Sequence, residues 1–471
     1  MITVRAYQSK TVAVFGLARS GLASVEALVS GGARVIAGDD NAEKCAAAKR
    51  LGAEVVDFSA IDWRTVTAFV VSPGVPLTHP APHPFIAAAQ AAGVPIIGDM
   101  ELFAQARADL PIASVVAVTG TNGKSTTTAL IGHVLQKTDH ATAVGGNIGR
   151  AVLDLDPLPE GGIYVLEVSS YQIDLMQSFV PDVAVLLNIT PDHLDRHGDL
   201  AHYEAVKERL FAGQTANHAA VIGVDDAHGI RFAARLAAAH GQRVIPISGD
   251  YVPGGGIGIK DGILLDGIEG AMVPIGNLAG AVALRGRHNW QNAAAAYAAA
   301  RSLGVPAGAA FRALMTFPGL EHRIERVAMV GNIEFINDSK ATNVDAASKA
   351  LATFERIYWI AGGRPKTTDL SALAPFFPRI RRAYLIGEAA RDFAASLNGT
   401  VDHVIAGDLG AAVAMAHADA LKDGAPSTVL LSPACASFDQ FSDYEARGRT
   451  FKELVGRVVA HTELAFAGEG R

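Results

Sequence analysis

The chain has 471 residues, half of them hydrophobic, and a formal net charge of −7; its length suggests about three domains rather than one core. Lysine and arginine are dispersed apart from the short cluster Arg379-Ile-Arg-Arg382, which reads as a solvated helix face, so no nucleic-acid footprint is expected. There is no signal-peptide hydrophobic segment and no run of about 18 apolar residues, which predicts a cytoplasmic protein without membrane insertion, and Cys45 and Cys435 lie far enough apart in sequence to favour two reduced thiols.

Residues 11–15, Thr-Val-Ala-Val-Phe, predict a strand that ends in Gly16-Leu-Ala-Arg-Ser-Gly21 and enters a helix over 22–30. A second strand, 34–38, ends in Asp39-Asp40. This is the outline of a dinucleotide-binding βαβ unit, with an acidic residue about 20 positions on to hold a ribose hydroxyl or a base. Ala18, however, stands where a second glycine would let the backbone approach a pyrophosphate, which favours another nucleotide or a nucleotide sugar over NAD. The run 69–76 predicts a buried strand ending in Ser72-Pro73-Gly74, by itself only a turn signal.

A linker is expected over 101–111. After it, Ser114-Val-Val-Ala-Val118 gives way to Thr119-Gly-Thr-Asn-Gly-Lys-Ser-Thr126 and a helical pattern to Leu135, which reads as strand, phosphate loop and helix. Gly120 and Gly123 permit a turn tight enough to aim several N–H groups at one anion, and the helix N-terminus adds its dipole. Lys124 would reach the outer phosphates of a nucleoside triphosphate, and the Ser125 hydroxyl would ligate its magnesium. The spacing is unusual, since Val118 occupies the position of the first consensus glycine.

Gly145-Gly-Asn-Ile-Gly149 predicts a tight loop, and the strand 163–170 carries Glu167 in an apolar run. A buried carboxylate is costly without a cation or donors, and magnesium is the obvious partner beside a phosphate loop. The strand 183–190 delivers Pro191-Asp-His-Leu-Asp-Arg-His197 at its carboxyl end, so Asp192, His193, Asp195 and His197 share one loop, and at least one is a candidate for chemistry. The next helix carries Tyr203, Val206, Leu210 and Phe211 on one face; periodicity makes Lys207 an ordinary, partly exposed lysine. Residues 250–280 read as hairpins with an Asp261-Gly262 turn. Asn289 and Asn292 precede an Ala-rich helix over 293–302, one suited to a cap and the other to a purine edge.

A boundary is expected near Phe317-Pro-Gly-Leu320. Beyond it three strands end in polar loops: 333–337 before Asp338-Ser-Lys-Ala-Thr-Asn343, 358–362 before Gly363-Arg-Pro-Lys366, and 429–431 before Ser432-Pro-Ala-Cys-Ala-Ser437. Lys340, Thr342, Lys366 and Ser437 would then form a rim for an acidic small molecule.

The motifs Gly16-x-x-x-Ser20-Gly21, Ser72-Pro-Gly74, Gly98-Asp-Met-Glu-Leu-Phe103, Gly120 to Thr126, Gly145 to Gly149, Asn337 to Asn343 and Ser432 to Phe441 together resemble the Mur ligase family, the ATP-dependent amide ligases of peptidoglycan synthesis. The likeness extends over essentially the whole chain, and the last two motifs with the altered N-terminal turn resemble the D-glutamate-adding branch. The resemblance implies an α/β protein of three domains: a UDP-binding Rossmann-like domain over 1–105, an ATP-binding P-loop domain over 106–318 and a Rossmann-like amino-acid-binding domain over 319–471. It implies a monomer that uses ATP to phosphorylate the carboxylate of UDP-N-acetylmuramoyl-L-alanine, the acyl phosphate then being attacked by D-glutamate.

Residue by residue, the likeness implies that Gly120, Thr121, Asn122, Gly123, Lys124, Ser125, Thr126, Asn289, Asn292, Arg323 and Asp338 bind ATP. Ser125 and Glu167 would hold one magnesium, and Glu167, His193 and Lys207 a second, with Lys207 carbamylated by carbon dioxide. Lys124, Glu167, His193 and Lys207 form the implied catalytic set. Arg19, Ser20, Asp39, Asp40, Asn41 and Ser72 would hold the UDP part, with Asn147, Ser169 and Gln172 near the sugar; Thr342, Lys366, Ser437, Phe438 and Tyr444 would hold D-glutamate. Gly223 replaces an asparagine of the family pattern, and Arg364-Pro365 precedes Lys366 where a more flexible loop is the rule. The alternatives are a ligase of the same superfamily with another amino acid or folate as substrate, a nucleotide-binding regulatory protein, and a nicotinamide dehydrogenase.

Overall fold

The computed structural model describes residues 1–239 and 241–468. They form two compact units, one of residues 1–280 with 289–317 and one of residues 281–288 with 318–468. The apolar runs become buried parallel strands, because strands covered on both faces need side chains that can leave water on either side.

The first unit contains two sheets. In the smaller, all-parallel one, Thr11–Phe15 lies between Arg34–Gly38 and Ala68–Val71, with the short strands Glu54–Val55 and Ile96–Ile97 at the edges. The chain therefore leaves Thr11–Phe15 to opposite sides, and the turns after Phe15 and Val71 open into one crevice, where such sheets take their ligands. The helix after the first turn runs from Arg19 to Ser30, beginning before the expected residue 22.

The second sheet has nine strands. Ser114–Thr119 is third from one edge, flanked by Ile163–Glu167 on one side and Val183–Leu186 on the other, all parallel and in register at Val118↔Glu167 and Thr119↔Leu186. The loops after residues 119, 167 and 186 are thus neighbours at one sheet end. Further out, Ala219–Gly223 and Arg243–Ser248 continue the parallel part, and Ile257–Lys260, Ile263–Asp266 and Val273–Asn277 complete the antiparallel hairpins foreseen around Asp261-Gly262.

Three expectations change: the Arg379-Ile-Arg-Arg382 cluster, read as a helix face, runs instead into the strand Ile380–Ile386. The supposed linker begins with a helix, Asp99–Ala106, whose Met100, Leu102, Phe103 and Ala106 are buried; its single short amphipathic turn pattern is too brief to register as periodicity. Glu101 there accepts from the backbone N–H groups of Gln177 and Ser178, at 2.8 Å each, and Phe103 meets Tyr164 edge-on at 5.2 Å. The helix predicted at 293–302 runs from Arg287 to Ser302, so Asn289 and Asn292 lie inside it and neither caps it.

In the second unit a six-stranded sheet places Ser427–Leu431 between Ile333–Asn337 and Ile357–Gly362, with parallel neighbours Ile380–Ile386 and His403–Gly407 and the antiparallel edge Glu325–Val330. Alternate residues of Ile357–Gly362 feed different cores: Ile357, Trp359 and Ala361 pack on one face, Tyr358 and Ile360 on the other. Both cysteines are free thiols.

Candidate active site

The turn after Thr119 takes the form its glycines allow. Gly120 has φ 149° and Gly123 φ 85°, and a Cβ at Gly123 would lie 2.6 Å from Asn292 Oδ1. The helix Lys124–Lys137 starts immediately after, its first N–H groups at the mouth of the loop. Lys124 folds back, donating to the carbonyls of Gly120 and Thr121 at 2.9 and 2.8 Å, and Ser125 and Thr126 stand beside it at the helix start, half-buried. The loop is clamped from the neighbouring strand: Asn188 accepts from the N–H of Thr121 through its carbonyl (2.9 Å) and from that of Asn122 through Oδ1 (2.8 Å). Asn292 Oδ1 accepts from Thr127 Oγ1, and Asn292 Nδ2 donates to Asn289 Oδ1, so both asparagines lie against this loop and helix.

Lys207 departs from the periodicity reading. It is only 1% exposed, on the helix Leu200–Glu208, and its amine donates to Gly120 O at 3.1 Å and Thr119 Oγ1 at 3.3 Å while lying 4.6 Å over the Tyr203 ring. Tyr203 is itself buried and its hydroxyl sits 3.2 Å from Thr121 Oγ1. Burial, and then the nearby Lys124 charge, hold the Lys207 pKa well below the usual lysine value. The helix face is apolar as predicted, but its neighbour across the sheet end covers the adjacent position too.

Glu167 is buried at the end of its strand. Oε1 accepts from Asn147 Nδ2 at 2.9 Å, whereas Oε2 has no hydrogen-bond partner among the described residues. A buried carboxylate oxygen without a donor is the arrangement a cation relieves, so the residues fit a magnesium beside the phosphate loop. His193 lies on the third loop with a left-handed backbone (φ 54°), its Nδ1 2.9 Å from the Tyr171 hydroxyl and its Nε2 3.4 Å from Asp192. His197, from the same loop, is instead buried; desolvation lowers its pKa to about 4. Asp195 is exposed.

At the crevice of the first sheet, the Ser72 hydroxyl donates to Gly16 O, and a Cβ at Gly21 would lie 2.0 Å from that same carbonyl. Arg19 and Ser20 open the following helix. Asp39 accepts from the backbone N–H groups of Leu17 and Asn41, and Asn41 caps the helix Ala42–Arg50, so these two side chains brace the turn; Asp40 is exposed. Ser169 and Gln172 form a reciprocal capping box, and Gln172 Nε2 donates to both oxygens of Asp99, a fully buried carboxyl whose pKa is raised by desolvation. A cavity of about 430 Å³ joins Arg19, Ser20, Asn147, Ser169 and Gln172 with Lys124, His193 and Lys207.

In the second unit, the ends of adjacent strands meet likewise. Asp338 is buried, accepts from Ser432 Oγ at 2.8 Å and Ile324 N–H at 3.2 Å, and desolvation lifts its pKa to about 7 against the pull of Arg323. Arg364 and Ala436 exchange two backbone hydrogen bonds of 2.9 and 3.0 Å, tying the loop of Lys366 to that of Ser437. Ser437 is buried, Lys366 and Phe438 are exposed, and Thr342 and Tyr444 are intermediate. Lys340 Nζ lies 3.7 Å from the centroid of the Tyr444 ring.

Several residues of these sites escape a reading by motif. Asn188 and Asp99 are polar groups within apolar or helical stretches, the same signal that drew attention to Glu167. Tyr203 and Tyr171 look like ordinary core aromatics. Arg447 is 1% exposed and donates to Ser339 Oγ and to the carbonyls of Ser339 and Cys435, holding the loop after Asp338 against the Cys435 loop. The Gly223 departure has a steric cause: a Cβ there would lie 1.9 Å from Leu187 O, beside the loop that carries Asn188.

Comparison with known proteins shows the family. Family models match over residues 118–300, for the Mur ligase middle domain, and over residues 322–435, for the Mur ligase glutamate ligase domain. The chain is 50% identical over 458 residues to the UDP-N-acetylmuramoylalanine--D-glutamate ligase of Caulobacter sp. (strain K31), covering 97% of this chain and 98% of that one. It is 52% identical over 462 residues to the enzyme of the same name from Rhizobium johnstonii, covering 98% and 97%. Among solved structures, MurF from Acinetobacter baumannii superposes with a TM-score of 0.57 at 17% identity over 90% of this chain and 91% of that one. MurC from Thermotoga maritima does so with 0.53 at 19% identity over 95% and 99%. These two show the fold.

Proposed function

The chain belongs to the Mur ligase family, and on that premise we propose that it joins D-glutamate to UDP-N-acetylmuramoyl-L-alanine at the expense of ATP, making a peptidoglycan precursor. The observation that carries the reading is a phosphate loop at the end of Ser114–Thr119 with a buried helix lysine hydrogen-bonded into it and a buried, half-satisfied carboxylate at the end of the adjacent strand. Phosphoryl transfer to a carboxylate calls for positioning and charge stabilisation rather than a side-chain nucleophile, and these groups are of that kind.

In this reading the backbone N–H groups after Gly120 and the Lys124 ammonium hold the triphosphate, Lys124 exchanging its loop carbonyls for phosphate oxygens. Ser125 and Glu167 would hold one magnesium, and Glu167, His193 and Lys207 would hold a second. Bound magnesium would withdraw charge from the transferring phosphoryl group. A protonated lysine cannot serve as a ligand, but the lowered pKa of Lys207 raises the share of neutral amine, whose lone pair can add to carbon dioxide. The N–C bond forms, one proton leaves, and the product is a carbamate that offers oxygen.

Arg19, Ser20, Asp39, Asp40, Asn41 and Ser72 hold the UDP end, and Asn147, Ser169 and Gln172 orient the muramoyl part so that its carboxylate faces the γ-phosphate. Thr342, Lys366, Ser437, Phe438 and Tyr444 bind D-glutamate, and Asn289, Asn292, Arg323 and Asp338 serve the nucleotide. We keep the domain division at 105/106 and 318/319, with the protein acting as a monomer. Among the described residues no helix is long and apolar enough to cross a membrane.

The test is phosphate release with ATP, magnesium and UDP-N-acetylmuramoyl-L-alanine, comparing D-glutamate with L-glutamate, L-alanine and diaminopimelate. Release that requires D-glutamate, with a product one glutamyl unit heavier, is expected. Release with a different amino acid would move the protein to another specificity within the family.

A further inference from the structure

A second group of metal-binding side chains lies outside the residues assigned above. Asp174 ends the short helix Ser170–Asp174, His197 ends the helix Leu194–His197, and His202 lies in the first turn of Leu200–Glu208. Each offers one ligand atom, and the three atoms lie within 4.8 Å of one another. The ring of His197 is fixed by its surroundings, stacked on Tyr171 at 5.5 Å, 5.3 Å from the Tyr203 ring and 5.9 Å from that of His202. Its Nε2 is engaged with Ser170 Oγ at 3.0 Å, while Nδ1 is buried without a hydrogen-bond partner among the described residues. Asp174 Oδ1 is held by Arg209 at 2.9 Å.

We propose that Asp174, His197 and His202 form a binding site for a borderline divalent transition metal such as zinc, with water in the fourth position. Two imidazole nitrogens and one carboxylate oxygen are the donor set such an ion prefers over magnesium, which favours oxygen alone. His197 Nδ1 is buried without a hydrogen-bond partner among the described residues, and the Ser170 hydroxyl at Nε2 is the kind of group that orients a ligating histidine. Burial depresses the His197 pKa, so its ring is neutral and able to donate a lone pair at neutral pH. Zinc–ligand bonds of about 2.0–2.1 Å would place the donor atoms about 3.4 Å apart. The exposed His202 can supply the closing movement by side-chain rotation, because its ring is not enclosed by neighbours. Zinc so held ties the helix that carries Lys207 to the segment that carries Gln172.

The test is calorimetric titration of the untagged protein with zinc chloride in saturating magnesium, for the wild type and for His202→Ala and Asp174→Asn. The wild type is expected to bind one zinc per chain, and each variant to bind it at least about 100-fold more weakly. His202→Ala, measured without zinc, is expected to keep wild-type turnover and melting temperature. Cobalt(II) should give the intense visible bands of a four-coordinate ion in the wild type and lose them in both variants. Failure of the wild type to take up zinc, or uptake by both variants equal to that of the wild type, would overturn the site. The zinc and cobalt readouts do not use the ligase reaction, so the site stands or falls independently of the proposed function.

Discussion

The amine of Lys207 lies 3.1 Å from the carbonyl oxygen of Gly120, so a side chain from one helix is hydrogen-bonded into the turn that opens another. That turn needs glycine at 120 for its φ of 149°, and the amine arrives there stripped of water. A lysine in this setting is a poor surface charge and a good neutral amine.

Replacing Lys207 with alanine should therefore remove turnover by at least about 100-fold, the scale of losing one electrostatic contact to a reacting group. Added acetate or formate should restore part of it by entering the space with a carboxylate. Steady-state phosphate release with and without the acid reads the effect, and an unrescued variant with full activity would refute the carbamate.

Lys124→Ala should lower kcat by about 100- to 1,000-fold, since its ammonium is the fixed positive charge at the phosphate loop. Lys124 is half-buried and donates to two carbonyls of its own loop, so circular dichroism melting should shift far less than the kinetics. The separation of a large kinetic effect from a small thermal one is the result to look for.

Asp338 gives a dependence of stability on pH. Its pKa is raised by burial from an ordinary 3.8 to about 7, so the folded state binds the proton more tightly than the unfolded chain. The stabilisation is complete below the unfolded value and is lost as pH rises through about 7. Asp338→Asn keeps a neutral acceptor for Ser432 and Ile324 and has no such titration. The urea midpoint of the wild type relative to this variant should fall between about pH 4 and pH 8; a constant difference would show that Asp338 is ionised throughout.

Arg447→Lys should destabilise the second unit by about 2–4 kcal/mol, because one ammonium cannot replace a guanidinium that serves Ser339 Oγ and the carbonyls of Ser339 and Cys435 together. Denaturant unfolding followed by tryptophan fluorescence suits this measurement, since Trp359 is fully buried in that unit and donates to Ser432 O.

Much of this protein was legible along the chain. The strands at 11–15, 34–38 and 114–119 and the glycine loop after Thr119 are local matters: an apolar run long enough for one strand, then residues that can adopt positive φ or open a helix. Glu167 was legible too, because a carboxylate in an apolar run must meet something. The Asp261-Gly262 hairpin followed from turn chemistry alone.

What the tertiary structure decided lay where distant segments meet. Periodicity made Lys207 a half-exposed helix lysine, and only the placement of that helix across the end of Ser114–Thr119 buries it and lowers its pKa. Asp39 and Asn41 carry the residue types of a nucleotide contact, and their bracing of the turn at Leu17 and of the helix that follows is a second role that only the fold shows. The clamp of Asn188 on the phosphate loop, Asp99 on Gln172 and Arg447 on the Ser339 loop join residues tens of positions apart, and sheet order sets each of them. A sequence specifies local backbone conformation through neighbours a few residues away; which polar groups lose water, and which partners they find, depends on strand order, and that alone brings Lys124, His193 and Lys207 to the wall of one cavity.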